Sequence, residues 1–290
     1  MVARLYTPVK GVDPEPAKFG LLNSKTVVSD GGRWDGGLSI DPVSCNADVR
    51  IVEVCDEENE VEITTGDAEV QSYLPFFIET DYTCGTFGFK AQDYKAKAEF
   101  ALSLCENKAA EREFWTGALA QQDVAVDSEG NPNPNRYLAS ISAVAVSPSG
   151  TPLSARHGVA LLEKALGDCG CGTRGFIHAT RDVVSTLSDT ALKVEGDTLV
   201  TILGNYVIGG SGYDGSGPGG AIPAGSLSWV YATGQVSARL GKVTVYPDNL
   251  SEATNTSINE VSFTAARDAA VTWDGCCHYA VLVDLSLDYS

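Results

Sequence analysis

Positive charge is scarce in this sequence. Its 290 residues include 20 lysines and arginines against 38 aspartates and glutamates, which gives a formal net charge of −18. Because affinity for phosphate comes mainly from lysine and arginine, this balance argues against a surface that wraps nucleic acid. A container that surrounds nucleic acid without gripping it is still compatible with the charge.

Long apolar runs are also missing. No segment approaches 18 consecutive apolar residues, and residues 1–20 have no apolar core of a signal peptide. We therefore expect a protein with no membrane partner that is made and used in a cytoplasm. In that compartment its eight cysteines are more often reduced, buried thiols than disulfides. At 43% hydrophobic content, the chain can bury a core in one large or two modest domains.

Catalytic signatures are absent. The chain has only three histidines, His157, His178 and His278, and no acid is placed to orient any of them in a known motif. The glycine-rich loop at residues 209–220 lacks the ending of a phosphate-binding loop and contains no G-x-S-x-G motif. We expect the glycine-rich loop to be a flexible surface loop. We also expect a protein that binds no cofactor and is not an enzyme. The alternative is a soluble enzyme whose catalytic residues are far apart in sequence and meet only in the folded structure.

Metal-binding patterns are weak. Two groups of soft ligands are close in sequence: Cys169, Cys171 and His178, and Cys276, Cys277 and His278. Neither group has the C-x-x-C spacing of zinc sites, and the acids at residues 56–62 lack the order of a calcium loop. Buried small side chains and a solvated acidic turn explain these residues better, so we expect no metal.

The most prominent pattern in the sequence is one long amphipathic stretch, residues 92–119. Its apolar side chains recur at steps of mostly three or four residues, which predicts one apolar face. Lysines and glutamates, Glu111 among them, are expected on the solvent-exposed face. The apolar positions are Tyr94, Ala98, Ala101, Leu102, Cys105, Ala109 and Trp115. Gly117 is expected to end the helix. At about 1.5 Å per residue the helix would span roughly 40 Å, which suits a strut along an elongated subunit.

Two extended elements precede this helix. Residues 1–30 contain three prolines and few periodic apolar positions, which predicts an extended arm rather than a packed element. In residues 31–75 two alternating strands flank an acidic turn, and the segment has 11 acids against two arginines. A lone hairpin is marginal in water, so we expect this one to lean on another subunit.

Strands and short helices follow the long helix. The patterns predict strands at residues 137–146, 176–178 and 198–207, helices at 154–166 and 179–187, and an almost wholly β region at 226–287. Ser154 is the expected N-cap of the first of these helices. This order predicts an α+β fold whose two ends return to one sheet.

In this order, the chain resembles a tailed-phage major capsid protein of the Hong Kong 97 type, a shell fold that encapsulins share. Local phrases carry the resemblance over nearly the whole chain: RWDGGLSIDPVSC, YLPFFIE, AEREFWTG at the end of the helix, GFIHAT and LVTILGNYVIGGSGY. They resemble segments of capsid proteins from phages that infect actinobacteria. The resemblance implies a structural subunit that self-assembles into pentamers and hexamers of an icosahedral head around double-stranded DNA. An encapsulin-like protein compartment is the alternative.

The resemblance also implies a division of the chain. The expected parts are an N-terminal arm at 1–30, an extended loop at 31–75, a peripheral domain at 76–136 with its spine helix at 92–119, an axial domain at 137–246 and strands at 247–290 that return to the peripheral domain. Residues expected to serve assembly between subunits are Trp34, Asp56, Glu57, Glu58, Glu60 and Glu62, and those expected on the spine helix are Leu102, Cys105, Ala109 and Trp115. The hairpin at 49–66 contains no lysine, so a covalent cross-link from its tip is not expected.

The implied partners are other copies of the chain, a separate scaffolding protein, a portal and decoration proteins. Packaged DNA would make weak, non-specific contacts with the arm, and the protein would reside in the virion after assembly in the host cytoplasm. Cys84 and Cys105 are expected to be reduced, buried thiols. Cys45 and Cys55 are candidates for a late disulfide once the particle leaves the reducing cell.

Overall fold

A computed structural model describes residues 13–28, 34, 37–40, 71–85, 91–122, 134–147, 151–169, 172–187 and 191–289. The acids at residues 56–62 lie outside these described residues, as do Cys45 and Cys55. The expectations that concern them therefore stay predictions.

The long helix forms nearly where its pattern predicts. Helix α1 covers Ala91–Thr116, against the expected 92–119. It ends at Gly117, whose φ of +60° is a left-handed conformation that favours glycine, and whose N–H donates to the Glu113 carbonyl oxygen at 2.7 Å. A side chain there would also collide with the ring of Tyr137. The stop is therefore fixed both by backbone conformation and by packing.

Helix α1 packs on a five-stranded antiparallel sheet. The sheet consists of β3 (Phe76–Gly85), β10 (Val236–Leu240), β11 (Thr244–Tyr246), β12 (Thr254–Asn255) and β13 (Glu260–Trp273). Strand β13 is the centre and pairs with the other four. Its alternate residues Val261, Phe263 and Ala265 are buried, and Phe263 stacks on Tyr94 of α1 with ring centroids 6.4 Å apart. The alternation of the sequence therefore gives this strand one apolar face.

A second, seven-stranded sheet holds the middle of the chain and its last strand. Its order is β4 (Val144–Ala145), β14 (His278–Asp284), β9 (Leu227–Thr233), β5 (Phe176–Thr180), β8 (Tyr206–Gly210), β7 (Thr198–Thr201) and β6 (Leu192–Glu195). The pairs β4–β14 and β5–β8 are parallel and the others antiparallel. Helices α2 (Ala155–Asp168) and α3 (Arg181–Thr186) pack on it through Leu162, Leu166 and Val183. A short helix, α4 (Leu250–Ala253), precedes β12.

The N-cap of α2 is predicted correctly, whereas the bounds of two strands are not. Ser154 caps α2 by accepting the His157 N–H on its hydroxyl oxygen at 3.4 Å, as predicted. The strand expected at 137–146 shrinks to β4, because residues 138–142 form turns, and the strand expected at 198–207 divides into β7 and β8.

Two placements differ from the expected division of the chain. The strands at 247–290 are all expected to return beside the spine helix. Strands β12 and β13 do so, whereas β14 joins the seven-stranded sheet. Strands β10 and β11 belong to the α1 sheet although they fall within the range expected for the axial domain. These partners are set by long-range pairing, which local periodicity does not encode.

Residues 20–28 of the arm pack against the rest of the chain, unlike the extended arm that the prolines predict, whereas residues 13–18 are exposed. Leu21 starts a short 3-10 helix, Leu21–Asn23, and is fully buried, as is Thr26. Val27 bridges Ala238 on the edge of β10, where the Val28 N–H donates to the Ala238 carbonyl oxygen at 2.9 Å. No helix among the described residues is long and apolar enough to cross a membrane.

Candidate assembly surface

A buried carboxylate on α1 ties three segments of the chain together. Glu111 is fully buried, and its Oε1 accepts the Leu21 N–H at 3.0 Å while its Oε2 accepts the Gly212 N–H at 2.8 Å. Burial raises the pKa of this carboxyl, and the N–H donors of Leu21 and Gly212 oppose the rise. The predicted position of Glu111 on the solvent-exposed side of the helix is therefore wrong: its carboxyl group is buried, and backbone N–H donors take the place of water.

Asn107 lies one turn before Glu111 on the same face of α1. Its Oδ1 accepts the Leu22 N–H at 2.8 Å, so two consecutive amides of the arm are held by two side chains of the spine helix. The sequence pattern singles out Glu111 only as a solvent-exposed residue and does not single out Asn107. Their i, i+4 spacing puts two polar side chains on one helix face, but nothing local shows that this face is buried.

The glycine-rich loop packs against the same part of the helix. Gly212, Tyr213 and Ser216 are buried, so the prediction of a flexible surface loop is wrong. A Cβ on Gly212 would lie 2.2 Å from the carbonyl oxygen of Lys108, which is closer than any real contact. Only glycine allows the loop backbone to approach the helix this closely.

Trp115 anchors the other side of this loop. Its side chain is fully buried, its Nε1 donates to Ser216 Oγ at 3.0 Å, and its ring lies 4.6 Å from that of Tyr213 and 4.9 Å from that of Tyr231. Trp115 therefore joins the spine helix to the seven-stranded sheet, since Tyr231 belongs to β9. Its predicted place on the apolar side of the helix is confirmed.

His178 is a core residue of the seven-stranded sheet. Its ring nitrogens lie 3.1 Å from the Tyr213 hydroxyl and 3.0 Å from Thr233 Oγ1. Burial lowers its pKa to about 3, with a further contribution from His278, so the ring is neutral. Burial also lowers the pKa of His278, to about 4.

The cysteines differ from the expectation of buried thiols. Cys169, at the end of α2, forms a disulfide with Cys277, beside the start of β14, across 108 residues of sequence; Cys276 is disulfide-bonded too. Cys84 and Cys105 are free thiols, but Cys84 is only half-buried and Cys105 is exposed. Two residues remote in sequence meet at a Cα distance of 6.1 Å, which a pattern of spacings cannot reveal.

The four residues predicted on the spine helix fall into two pairs. Leu102 and Trp115 are fully buried, whereas Cys105 and Ala109 are exposed. The exposed pair lines a groove of about 390 Å³ between α1 and the start of β3. Phe77 on the rim of this groove is 75% exposed.

The stem of the expected extended loop starts beside this groove. Strand β1 (Leu38–Ile40) pairs antiparallel with β2 (Gln71–Tyr73), and β3 begins three residues after β2. The Tyr73 hydroxyl donates to the Trp273 carbonyl oxygen at 2.8 Å, and burial raises the pKa of Tyr73 to about 12. Trp34, the remaining residue expected at the assembly surface, is half-buried close to this stem in sequence. Among the described residues, no group of three or more His, Cys, Asp or Glu side chains is arranged to hold a metal ion.

Several solved structures from phages are similar to this chain. The chain is similar to a capsid chain of Ralstonia phage GP4 (9% identity, TM-score 0.51, 97% of this chain and 95% of that one). It is equally similar to chains of Mycobacterium phage Bobi (13%, 0.52, 97% and 96%) and Mycobacterium phage Ogopogo (10%, 0.51, 97% and 96%). No family model matches the sequence, and no curated protein matches it.

These likenesses establish the fold. The chain has the Hong Kong 97-like capsid fold, with a long helix behind one sheet and a second sheet beyond it, over nearly its whole length. The fold class predicted from the sequence is confirmed.

Proposed function

We propose that this chain is a major capsid protein, a structural subunit that self-assembles into the pentamers and hexamers of an icosahedral phage head around double-stranded DNA. The observation that carries the proposal is the fold: the structural alignment with a capsid chain of Ralstonia phage GP4 covers 97% of this chain at a TM-score of 0.51. A 26-residue helix of about 39 Å serves as the strut of such a subunit.

In this role the chain acts through surfaces rather than through a reactive centre. The extended loop that starts at β1 and β2 would lie across a neighbouring copy, and Trp34 and the acids at residues 56–62 would make contacts between subunits. The exposed groove that contains Cys105 and Ala109 is a further surface for contact between copies. Such a protein is not an enzyme, and its place is the virion after assembly in the host cytoplasm.

Contents and accessory partners follow from the same proposal. With a net charge of −18 the shell repels DNA on average, so packing relies on a motor and contacts with DNA are weak. Lys18 and Lys25 are exposed on the described part of the arm and are suited to such contacts. A scaffolding protein, a portal and decoration proteins would complete the particle.

Electron microscopy of the purified protein tests this function. We expect closed particles hundreds of ångströms across, and nuclease-resistant double-stranded DNA inside particles recovered from infected cells. A monodisperse monomer or dimer at high concentration would exclude a shell subunit. Particles that enclose a protein cargo and no DNA would identify a compartment instead.

A further inference from the structure

The extended loop is attached to the subunit through a small stem. This stem is the pair β1 and β2, which form a two-stranded sheet of their own and pair with no other strand among the described residues. A lone two-stranded sheet is marginal in water, so the order of the stem depends on its contacts with the rest of the chain. The same contacts therefore set the direction in which residues 41–70 leave the subunit.

The first contact is made by the tyrosine at the end of β2. Tyr73 is buried, and its hydroxyl donates to the Trp273 carbonyl oxygen at 2.8 Å and accepts the Trp273 N–H at 3.4 Å. The rings of the two residues lie with their centroids 6.5 Å apart. This contact holds the stem at one point, the last residue of β13.

The second contact is a side-chain amide that binds the backbone as a neighbouring strand would. The Leu74 N–H donates to Asn135 Oδ1 at 2.7 Å, and Asn135 Nδ2 donates to the Leu74 carbonyl oxygen at 2.9 Å. Paired strands exchange the same donor and acceptor groups. Because Leu74 and Pro75 connect β2 to β3, Asn135 holds the joint between the stem and the subunit.

Asn135 belongs to a segment that is fixed to the end of the spine helix. The Leu138 N–H donates to the Phe114 carbonyl oxygen at 3.0 Å, and the Ala139 N–H donates to the Trp115 carbonyl oxygen at 2.9 Å. These carbonyl groups lie in the last turn of α1, where a helix leaves its carbonyl oxygens without partners of its own. Leu138 and Ala139 are buried. The amide of Asn135 therefore joins the stem to the C-terminal end of the spine helix.

A small rotation of the stem has a large effect at the tip of the loop. Folded back on itself, the segment at residues 41–70 would reach up to about 50 Å at about 3.3 Å per residue. At that length a rotation of about 10° moves the tip by about 9 Å, roughly twice the spacing of about 4.8 Å between paired strands. A stem held at one point can pivot, whereas contacts with two different elements fix its angle.

We propose that Asn135 is a positioning residue for assembly: its amide holds the stem at the angle at which the extended loop of one copy meets the next copy. This inference rests on the proposed function, because it concerns the loop that would lie across a neighbour. Asn135 acts through Leu74 and the stem and needs no contact with the neighbour itself. Its removal should therefore impair the association of subunits more than the stability of the subunit.

Asn135→Ala tests this role in the full-length chain. In sedimentation velocity over a series of concentrations, the variant should form particles only at a subunit concentration at least tenfold above that of the wild type. Below that concentration its urea midpoint should equal the wild-type value, because Tyr73 still attaches the stem and water replaces the lost hydrogen bonds at a half-buried position. Hydrogen exchange should be faster at the amides of residues 71–74 and unchanged at Leu102 in α1.

Asn249→Ala is the matched control. The Asn249 side chain also binds the backbone, since its Oδ1 accepts the Glu252 N–H at 3.0 Å, but it does so at the start of α4. Helix α4 precedes β12, which pairs with β13 at the end opposite to Trp273. This variant should assemble at the wild-type concentration.

Three results would overturn the role of Asn135 while the shell function stands. They are assembly of Asn135→Ala at the wild-type concentration, an assembly defect that comes with an earlier urea midpoint, and unchanged exchange at residues 71–74. If the wild type itself forms no particle, the proposed function fails and this inference fails with it.

Discussion

Glu111 and Leu21 are 90 residues apart in sequence, yet the carboxylate of the first receives the backbone N–H of the second at 3.0 Å in the interior of the protein. The other oxygen of the same carboxylate accepts the Gly212 N–H at 2.8 Å. The spine helix therefore positions the arm and the glycine-rich loop through one side chain, and this makes Glu111 the first residue to test.

We expect Glu111→Gln to destabilise the chain by about 1–3 kcal/mol, because an amide NH₂ cannot accept the hydrogen bond that one of the two N–H groups then loses. Chemical denaturation measures the loss, and hydrogen exchange should show faster exchange of the Leu21 and Leu22 amides. Glu99→Gln on the exposed face of α1 is the control and should change neither. Equal stability of the two variants would contradict the clamp.

Gly212→Ala should destabilise the chain by about 1–3 kcal/mol, because the new Cβ would overlap the Lys108 carbonyl oxygen and push the loop off the helix. Gly167→Ala in α2 is a matched control, because a Cβ there would enter open space, and it should raise stability by up to about 1 kcal/mol through helix propensity. Thermal unfolding of the two variants gives opposite signs if the loop is packed as described.

Acid should destabilise the chain through two histidines, the buried His178 and the half-buried His278. The pKa of His178 is lowered to about 3 and that of His278 to about 4, both below the ordinary value of 6.5. The unfolded chain therefore binds protons that the folded chain does not, so their contribution is complete above pH 6.5 and is lost as the pH falls below it. Glu111 acts in the opposite direction, because its raised pKa makes the folded chain hold a proton that the unfolded chain releases as the pH rises above 4.5.

Urea unfolding at pH 7.5 and pH 5 measures this dependence, with a slope of up to about 1.4 kcal/mol per pH unit for each histidine. His178→Gln should flatten the slope, and His157→Gln, at an exposed position on α2, should keep it. A wild-type stability that rises between pH 6.5 and pH 5 would refute the prediction.

Removal of the disulfide by Cys169→Ser with Cys277→Ser should cost about 3–5 kcal/mol, because the bond closes a loop of 108 residues in the unfolded chain. Peptide mapping without reductant should recover the linked pair, while Cys105 should react with iodoacetamide in the native isolated chain because it is exposed. Eight reactive thiols in the unreduced, denatured protein would show that no such bond exists.

Features that depend on residues close together in sequence are the ones predicted correctly. The end of α1 at Gly117, the Ser154 cap and the alternation of β13 depend on neighbouring residues, so their patterns are legible in the sequence. The order of elements, together with local phrases such as YLPFFIE and AEREFWTG, is what indicates the capsid fold.

Non-local partners account for the failures. Glu111 resembles any solvated glutamate until Leu21 and Gly212 approach it, and Cys169 gives no sign of Cys277.

The central position of β13 also determines when the five-stranded sheet can form during synthesis of the chain. Strand β3 leaves the ribosome early, but its partner on the sheet begins 175 residues later, because Gly85 pairs with Glu260. At 5–20 residues per second, β3 waits roughly 10–35 s before its partner strand begins to be synthesised. If the chain is the shell subunit proposed above, a copy still under synthesis lacks the finished surface that neighbouring copies would contact, and the topology would delay assembly until translation is nearly complete.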